Sequence, residues 1–247
     1  MKQLLRCPNI KPNKSDKVGR TPLLFAAKNG HLAIVQLLLG REDIIPNIAD
    51  QYNRTSLSWA AEGGHDEIVK LLLEHPKVDP NRANEVGQTP LWFATEKGHL
   101  GVIQLLLGCE DLDPNIRDYS ARSPLSWVAR EGYDEIASLL LKCPNVNPNS
   151  ANHAGRTALW WAARNGHSGI VRLLLGREDL NPNYPDQFGR TPLSWAAEWG
   201  HDDVVELLLA HKGVDPDIPD ASGLTPLSWS CFAPNKRAAD LLQANVV

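Results

Sequence analysis

Large aromatic side chains recur every 34 residues and are the most distinctive candidates for binding chemistry in this chain. An aromatic ring offers a flat apolar face to a ligand and attracts a cation to that face. On a helical wheel this slot lies about 200° from the leucine two residues before it, which favours rings that line a binding surface. The slot equally suits packing between adjacent helices, so both interpretations stay open. The rings belong to Phe25, Trp59, Phe93, Trp127, Trp161, Trp195 and Trp229.

Three further tryptophans, Trp92, Trp160 and Trp199, depart from the residue types that their slots otherwise carry. We predict that these slots are exposed on a short first helix. Tryptophan is costly to expose and is enriched where a few residues dominate the energy of a protein–protein contact. The three are therefore candidates for partner contact, with a packing role as the alternative.

An arginine occupies one slot in five of the repeating units, and in four of them an aspartate precedes it by four residues. The arginines are Arg20, Arg54, Arg122, Arg156 and Arg190, and the aspartates are Asp16, Asp50, Asp118 and Asp186. One interpretation is local pairing across each turn, which contributes little at a surface. The other is a stripe of positive charge that grips an acidic partner.

Histidines also share a slot, as His31, His65, His99, His167 and His201. Stacked helices lie about 10 Å apart, too far for two such rings to share a zinc ion with bonds of about 2 Å. We predict a structural hydrogen-bonding role. By the same geometry Cys109 and Cys143 should be free thiols, as should Cys7. Metalloprotease, phosphate-loop, serine-hydrolase and paired-cysteine motifs do not occur, so we predict no metal, no cofactor and no recognisable catalytic centre.

Composition narrows the class of protein further. The 247 residues are 43% hydrophobic and 22% charged, with a net charge of −4, which argues against a nucleic-acid partner. No run approaches the roughly 18 apolar residues of a membrane helix, so we expect no membrane association. The sequence predicts an intracellular, cytoplasmic protein and leaves the nucleus open.

The elements that position these residues come from the 34-residue period itself. Each unit opens with Thr or Ser, a good helix N-cap, and proline follows in five of seven units, where its missing N–H costs nothing. A short apolar helix then ends at a glycine. A longer second helix carries a leucine triplet, and a turn-rich, hairpin-like link leads to the next unit. Neither helix can bury its apolar face alone, so the units must stack. The sequence predicts an all-α solenoid of helix-turn-helix units.

These residues closely resemble the ankyrin-repeat family, whose signature stands in residues 191–201 as TPLSWAAEWGH. A weaker resemblance is to the ankyrin tails of large fungal immune-type receptors. The family implies stacked helix pairs with projecting hairpins and a concave groove. The histidine that usually follows Thr-Pro-Leu is replaced here in every unit, by Leu24, Ser58, Trp92, Ser126, Trp160, Ser194 and Ser228.

We predict one ankyrin-repeat domain over residues 1–247, with a partial N-terminal cap unit at 1–13 and six full repeats at 14–217. A degenerate C-terminal capping repeat follows at 218–247, where Pro234, Asn235 and Gln243 replace the usual glycine, histidine and leucine. A second period of 68 residues indicates duplication of a two-repeat block. Glutamines at both ends favour a complete small protein, and a fragment of a longer receptor is the alternative.

Two functions remain open from the sequence. The first is a non-catalytic scaffold that binds a partner protein through the groove and the turn tips. The alternative is a small-molecule site, or an unconventional enzyme, in an aromatic-lined groove. The predicted contact residues are Arg20, Tyr52, Arg54, Trp92, Tyr119, Arg122, Trp160, Phe188, Arg190 and Trp199.

Overall fold

The computed structural model describes residues 11–234 and 236–245, and within them all regular structure is helical. The helices form helix-turn-helix pairs and group into two compact units, Met1–Tyr119 and Ser120–Val247. The predicted all-α fold with hairpin-like connecting turns is confirmed. In the first unit the helices are α1 (Pro22–Lys28), α2 (Leu32–Leu39), α3 (Ser56–Glu62), α4 (Asp66–Leu73), α5 (Pro90–Lys97) and α6 (Leu100–Leu107).

The second unit contains the remaining eight helices of the part of the chain that the structure describes. They are α7 (Pro124–Glu131), α8 (Asp134–Lys142), α9 (Ala158–Asn165), α10 (Ser168–Leu175), α11 (Pro192–Trp199), α12 (Asp202–Leu209), α13 (Pro226–Ser230) and α14 (Arg237–Ala244). Apart from α13, first helices have 7 or 8 residues and second helices 8 or 9. The expected contrast between a short and a longer helix is therefore slight.

The predicted threonine or serine caps the N-terminus of each first helix. The side chain of Thr21, for example, accepts the backbone N–H of Leu24 at 3.2 Å, and the same bond occurs in all seven units. It satisfies one of the amide groups that a helix start leaves without an intrahelical partner. Replacing such a cap by alanine typically costs about 1 kcal/mol.

Gly166, the glycine that follows the first helix α9, is required for two reasons. Gly166 has a φ of 77°, a left-handed conformation that side chains with a Cβ adopt at a cost. A Cβ at this position would also lie 2.7 Å from Nδ1 of His201. The backbone conformation and the imidazole of the following repeat therefore both exclude a larger residue.

The core lies between the layers of first and second helices. In the first unit α3 packs between α1 and α5, and α4 packs between α2 and α6. In the second unit α7, α9, α11 and α13 pack in sequence, as do α8, α10, α12 and α14. Ala60 and Ala61 are fully buried, and their small side chains allow the helices to approach closely. Each buried leucine, such as Leu72, stabilises the fold by about 1.5–3 kcal/mol.

Asparagines fasten neighbouring repeats together at the back of the turns, a feature that the sequence analysis did not identify. In the second unit the Asn183 side chain donates to the carbonyl of Gly213 at 2.7 Å and accepts the N–H of Asp215 at 3.0 Å. The same pair of bonds is made by Asn149 and, in the first unit, by Asn13, Asn47 and Asn81. A proline precedes every one of them, so a repeated Pro-Asn pair is the sequence signal.

The last repeat differs from the others. Helix α13 spans five residues, Pro226–Ser230, and Pro234 follows where the other units carry glycine. Proline restricts the residue before it and cannot donate to a helix, which suits an early helix end. Gln243 is exposed on α14. Asn235 and residues 1–10, with Gln3 and Cys7, lie outside the described residues, and the capping roles of 1–13 and 218–247 remain predictions.

Candidate binding surface and arginine pocket

In several turns between repeats, a buried aspartate side chain accepts hydrogen bonds from the backbone of the turn. In the second unit one oxygen of Asp186 accepts the backbone N–H groups of Phe188 and Arg190, at 2.9 and 3.0 Å. The backbone of Asp186 also exchanges bonds with Gly189 and Arg190 across the turn. The turn is therefore closed from inside, and it holds the ring of Phe188 outward with 53% of the residue exposed.

The other oxygen of Asp186 connects the turn to the recurring aromatic rings. We call these rings the aromatic ladder: Phe25, Trp59, Phe93, Trp127, Trp161, Trp195 and Trp229. It accepts the indole N–H of Trp195 at 2.9 Å and that of Trp160 at 3.2 Å. Asp50 binds Trp59 in the same way at 2.9 Å, and Asp220 binds Trp229. At Trp59, Trp195 and Trp229 a carboxylate nine residues earlier thus fixes the orientation of the ring.

Arginine side chains fill the space between successive rings. The guanidinium carbon of Arg190 lies 3.7 Å from the ring centres of both Trp195 and Trp229. Its Nη2 contacts the Glu198 carboxylate at 2.6 Å. Cation–π contacts of this kind contribute about 0.5–2 kcal/mol each. Because Arg190 is buried, the rings and the carboxylate replace the water that the cation would otherwise bind.

The first unit repeats this arrangement around Arg54. Its guanidinium carbon lies 3.5 Å from the Trp59 ring and 4.0 Å from the Phe93 ring, and Nη2 is 2.6 Å from Glu62. We call Arg54 and Arg190, each held between two rings and paired with a glutamate eight residues later, the rung arginines.

A cavity of about 520 Å³ opens in the second unit where the same columns carry different charges. We call it the arginine pocket; its lining residues are Arg130, Glu131, Arg156, Trp160, Trp161, Arg164, Asn165 and Trp195. Three guanidinium groups against one carboxylate leave a formal charge of +2. The pocket is therefore suited to an anion.

The rings that line the arginine pocket are packed against each other. Trp160 meets Trp161 and Trp195 edge-on, with ring centres 4.7 and 5.0 Å apart. The guanidinium carbon of Arg156 lies 4.7 Å from the Trp160 ring centre, and that of Arg164 lies 5.7 Å from both Trp160 and Trp195. The cations therefore cover the ring faces, and a ligand in the pocket would meet the guanidinium groups.

Charge reversal at one column creates this pocket. Arg164 occupies the slot that holds glutamate at Glu62 and Glu198 and arginine at Arg130. It follows Arg156 by eight residues, the spacing of the rung ion pairs. The turn aspartate is also replaced, by Asn152. As a result, no carboxylate among the described residues forms an ion pair with Arg156 or Arg164.

Histidines join four of the repeats to the repeat before each of them. Nε2 of His201 lies 2.9 Å from the carbonyl oxygen of Arg164, and Nε2 of His167 lies 3.1 Å from that of Arg130. His65 and His99 make the equivalent bonds in the first unit. The predicted structural role is confirmed for these four. Within the described ranges no three His, Cys, Asp or Glu side chains form a group suited to a metal ion.

The family is decided by comparison of the whole sequence. A model described as ankyrin repeats (3 copies) matches in overlapping stretches, at residues 1–84, 45–118, 75–152, 125–220 and 178–246. This chain belongs to the ankyrin-repeat family. None of the curated proteins matches it.

Several solved ankyrin-repeat structures are similar to it. The ankyrin repeat domain of Bcl-3, a unique member of the IkappaB protein family, aligns with a TM-score of 0.79 at 26% identity, over 92% of this chain and 100% of that one. The domain of human ASB11 aligns with a TM-score of 0.68 at 26% identity, over 92% and 99%. The ankyrin repeat protein EF0377 aligns with 0.68 at 26%, over 76% and 96%. Ankyrin repeats are in general scaffolds for protein–protein interaction, and this chain shares their architecture.

The ankyrin stack exposes some of the predicted contact residues and buries others. Tyr52, Tyr119 and Phe188 are exposed at turn tips, and Trp199 is 48% exposed at the end of α11. The prediction that Trp92 and Trp160 occupy exposed slots is wrong, because each is 1% exposed. Their slot lies inside the stack, where the indole of Trp160 reaches Asp186 of the next repeat.

The arginine column divides in the same manner. Arg20 and Arg122 are partly exposed, but Arg54 and Arg190 are buried, so they are not surface contacts. Local pairing with the preceding aspartate holds at Arg20, whose Nη2 lies 2.8 Å from Asp16. At the rung arginines the aspartate instead binds the backbone N–H, and the guanidinium reaches the glutamate. The packing interpretation of the aromatic ladder is thus supported at its bonded rings.

Sequence reasoning missed Arg130, Arg164 and Phe232. The signal was available in one column, where Lys28, Glu62, Glu96, Arg130, Arg164 and Glu198 precede Phe232. In this column the charge is positive instead of negative at Arg130 and Arg164, and an apolar residue replaces the charge at Phe232. These are the positions where the surface differs from that of the neighbouring repeats. Phe232 is 68% exposed beside Trp199. Across the described helices none is long and apolar enough to cross a membrane.

Proposed function

We propose that this ankyrin-repeat chain is a non-catalytic scaffold that binds a partner protein through its turn tips and the adjoining ends of its first helices. The observation that carries the proposal is the exposure of large aromatic side chains on turns that are held from inside. Tyr119 is 75% exposed, and Tyr52 and Phe188 are more than half exposed. Aromatic residues are enriched at protein–protein contacts.

The turns that carry these rings are already ordered. The N–H of Tyr52 donates to Asp50 at 3.0 Å, and that of Phe188 donates to Asp186. Gln187 further donates to the carbonyl of Ala154 in the preceding repeat. A preformed contact surface loses little conformational freedom on binding, so more of its contact energy appears as affinity.

The end of the second unit adds a further contact site. Trp199 and Phe232 line a cavity of about 350 Å³ together with Glu198 and Pro234. Large rings beside a shallow cavity provide the anchor-and-pocket arrangement that concentrates binding energy. We expect Trp199→Ala to weaken binding of the partner by about 2 kcal/mol.

Site-specific photo-crosslinking tests the proposal. A photoreactive phenylalanine is placed at Tyr119 or at Phe188 and irradiated in a lysate of the cells that produce the chain. Matched controls carry the same group at Gln104 or Arg172, which are exposed on the second helices α6 and α10. The proposal expects one or more discrete polypeptide adducts at the turn tips and none at the controls.

Two results would contradict the scaffold function. One is equal crosslinking at the turn tips and the second-helix controls, which would indicate nonspecific contact. The other is the absence of polypeptide adducts at the tips together with a small molecule that co-purifies with the chain and is identified by native mass spectrometry. The second result would favour the small-molecule alternative.

A further inference from the structure

We infer that the arginine pocket binds a phosphorylated side chain of the partner protein. This inference rests on the proposed scaffold function and adds to it the chemistry of the recognised group. Its first support is location: the pocket lies in the same unit as Phe188 and Trp199, and the guanidinium carbon of Arg164 is 5.1 Å from the Trp199 ring centre. A segment anchored on Trp199 would bring a neighbouring side chain to the pocket.

The charge of the pocket is the second support. Elsewhere in this chain one glutamate neutralises one rung arginine, as Glu62 does for Arg54 and Glu198 for Arg190. The arginine pocket brings three guanidinium groups together with Glu131 as the lining carboxylate. A phosphorylated side chain carries a charge of about −1.5 to −2 at neutral pH, which balances the formal +2 of the lining. A single carboxylate would leave part of that charge unbalanced.

The donor geometry also favours a phosphoryl group over a flat aromatic ligand. Each guanidinium presents five N–H donors in a planar fork that matches phosphate oxygens. The faces of Trp160, Trp161 and Trp195 are covered by these cations or by each other. A nucleobase would have to displace the cations in order to stack, whereas a phosphoryl group binds them where they are.

The groups around the pocket leave these donors available. The Asn165 side chain is engaged with the carbonyl of Arg130 at 2.9 Å. Glu131 lies 3.5 Å from Nε of Arg130, a long contact that leaves the rest of the guanidinium free to bind. Glu198 is held by Arg190, and Asp186 is engaged with indole and backbone N–H groups.

Peptide pools test the inference on the purified chain. Three randomised pools carry phosphoserine, glutamate or serine at one fixed central position, and retention is measured at about 0.15 M ionic strength to screen nonspecific charge effects. The phosphoserine pool should be retained at least about tenfold more than either other pool, a difference of one decade in affinity. Equal retention of the phosphoserine and glutamate pools would overturn the inference.

Variants taken from the chain's own repeats separate binding from folding. Arg164→Glu introduces the residue already present at Glu62, Glu96 and Glu198, and Arg156→Gln introduces the residue at Gln88. Each should remove at least about nine tenths of the phosphoserine preference while the helical circular dichroism is unchanged. Arg172→Glu makes the same charge change on α10 outside the pocket and should leave the preference intact. Unchanged preference in both pocket variants would refute the site.

A second arm distinguishes failure of this inference from failure of the scaffold function. Crosslinking at Phe188 is repeated in lysate treated with phosphatase, and the adducts should decrease at least about tenfold. Adducts that persist after treatment, and in Arg164→Glu, would leave the scaffold standing and overturn the phosphoryl site. Loss of adducts in untreated lysate would remove the scaffold itself. Tighter retention of a mixed-sequence single-stranded RNA than of the phosphoserine pool would also overturn the inference.

Discussion

The rung arginines and the arginine pocket use the same columns of the repeat for opposite purposes. Arg190 is buried between two rings and neutralised by Glu198. Arg156 occupies the same slot one repeat earlier, is partly exposed, and has Arg164 where the glutamate would be. The first arrangement neutralises the guanidinium within the chain, whereas the second leaves three guanidinium groups beside one carboxylate.

The comparison shows how a repeat protein can separate stability from recognition. The cap, glycine and leucine positions that specify the stack are kept on both sides of the pocket, so we expect the backbone there not to depend on the pocket charges. The reversed charge at Arg164, together with Asn152 in place of the turn aspartate, leaves unbalanced positive charge where the other repeats form an internal ion pair. Sites that retain unbalanced charge for function commonly sacrifice some stability.

The largest predicted change in the free energy of unfolding concerns Trp160, at the base of the arginine pocket. Trp160→Ser introduces the residue present at Ser126 and Ser194, yet it should lower the free energy of unfolding by about 3–5 kcal/mol. Trp160 is buried against two other tryptophans and Asp186, so its removal leaves a cavity that serine does not fill. Urea denaturation followed by circular dichroism measures the change.

Trp199→Ala is the matched control for that experiment. This ring is half exposed, so its truncation should change the free energy of unfolding by less than about 1 kcal/mol. If the two substitutions lowered the free energy of unfolding equally, Trp160 would not be a buried support of the arginine pocket. The pocket would then not be preformed.

The fate of these tryptophans marks the limit of the sequence analysis. The caps, the glycine ends and the histidine bonds follow from local residue preferences and spacing, so they could be predicted. Whether Trp160 faces solvent depends on the turn of the next repeat, which approaches it only after stacking. Trp199 is the last residue of α11 and is 48% exposed, and there the local pattern was sufficient.

The next largest change in the free energy of unfolding is expected at the rung arginine Arg190. Arg190→Met preserves the length of the side chain but removes two ring–cation contacts and leaves Glu198 without its partner. We expect a loss of about 2–3 kcal/mol in the free energy of unfolding, below the usual range for a fully buried pair because Glu198 is partly exposed. Arg156→Gln in the pocket should cost less than about 1 kcal/mol, and a comparable loss at both positions would erase the distinction.

A smaller change in the free energy of unfolding, of opposite sign, is expected when the pairing of Arg190 with Glu198 is copied into the arginine pocket. Arg164→Glu places a carboxylate eight residues after Arg156, the spacing of Arg190 and Glu198. The free energy of unfolding should stay the same or rise by up to about 1 kcal/mol, because the new pair is partly exposed. Chemical denaturation beside the peptide retention assay would then show stability maintained while binding is lost. A loss of stability would indicate that the pocket charges support the fold.

The pocket charges could not be predicted as a site because each arginine, taken alone, fits an ordinary solvated helix face. Arg130 and Arg164 belong to different repeats and come together only when α7 and α9 pack. The departure from the column was readable in the sequence, but its meaning required the position of the rings. Equivalent positions of successive repeats should therefore be compared for their charge as well as for their apolar pattern.

The smallest predicted effect is a pH dependence of stability that comes from Asp220, the carboxylate near Trp229 and the rung arginine Arg190. Burial raises the pKa of Asp220, but bonds from the N–H groups of Leu224, Ser222 and Trp229, with the nearby Arg190 cation, outweigh burial and hold that pKa below its ordinary 3.8. A carboxyl whose pKa is lower in the folded state stabilises the fold above its unfolded pKa, and this stabilisation is lost as pH falls through the folded value. Asp220→Asn, with the residue found at Asn84 and Asn152, should therefore be less stable than the parent at about pH 6, and the difference should close toward about pH 2. Urea midpoints across that range measure it. A difference that does not change with pH would mean that the ionised carboxylate contributes nothing, and that the rung depends on the rings and Glu198 alone.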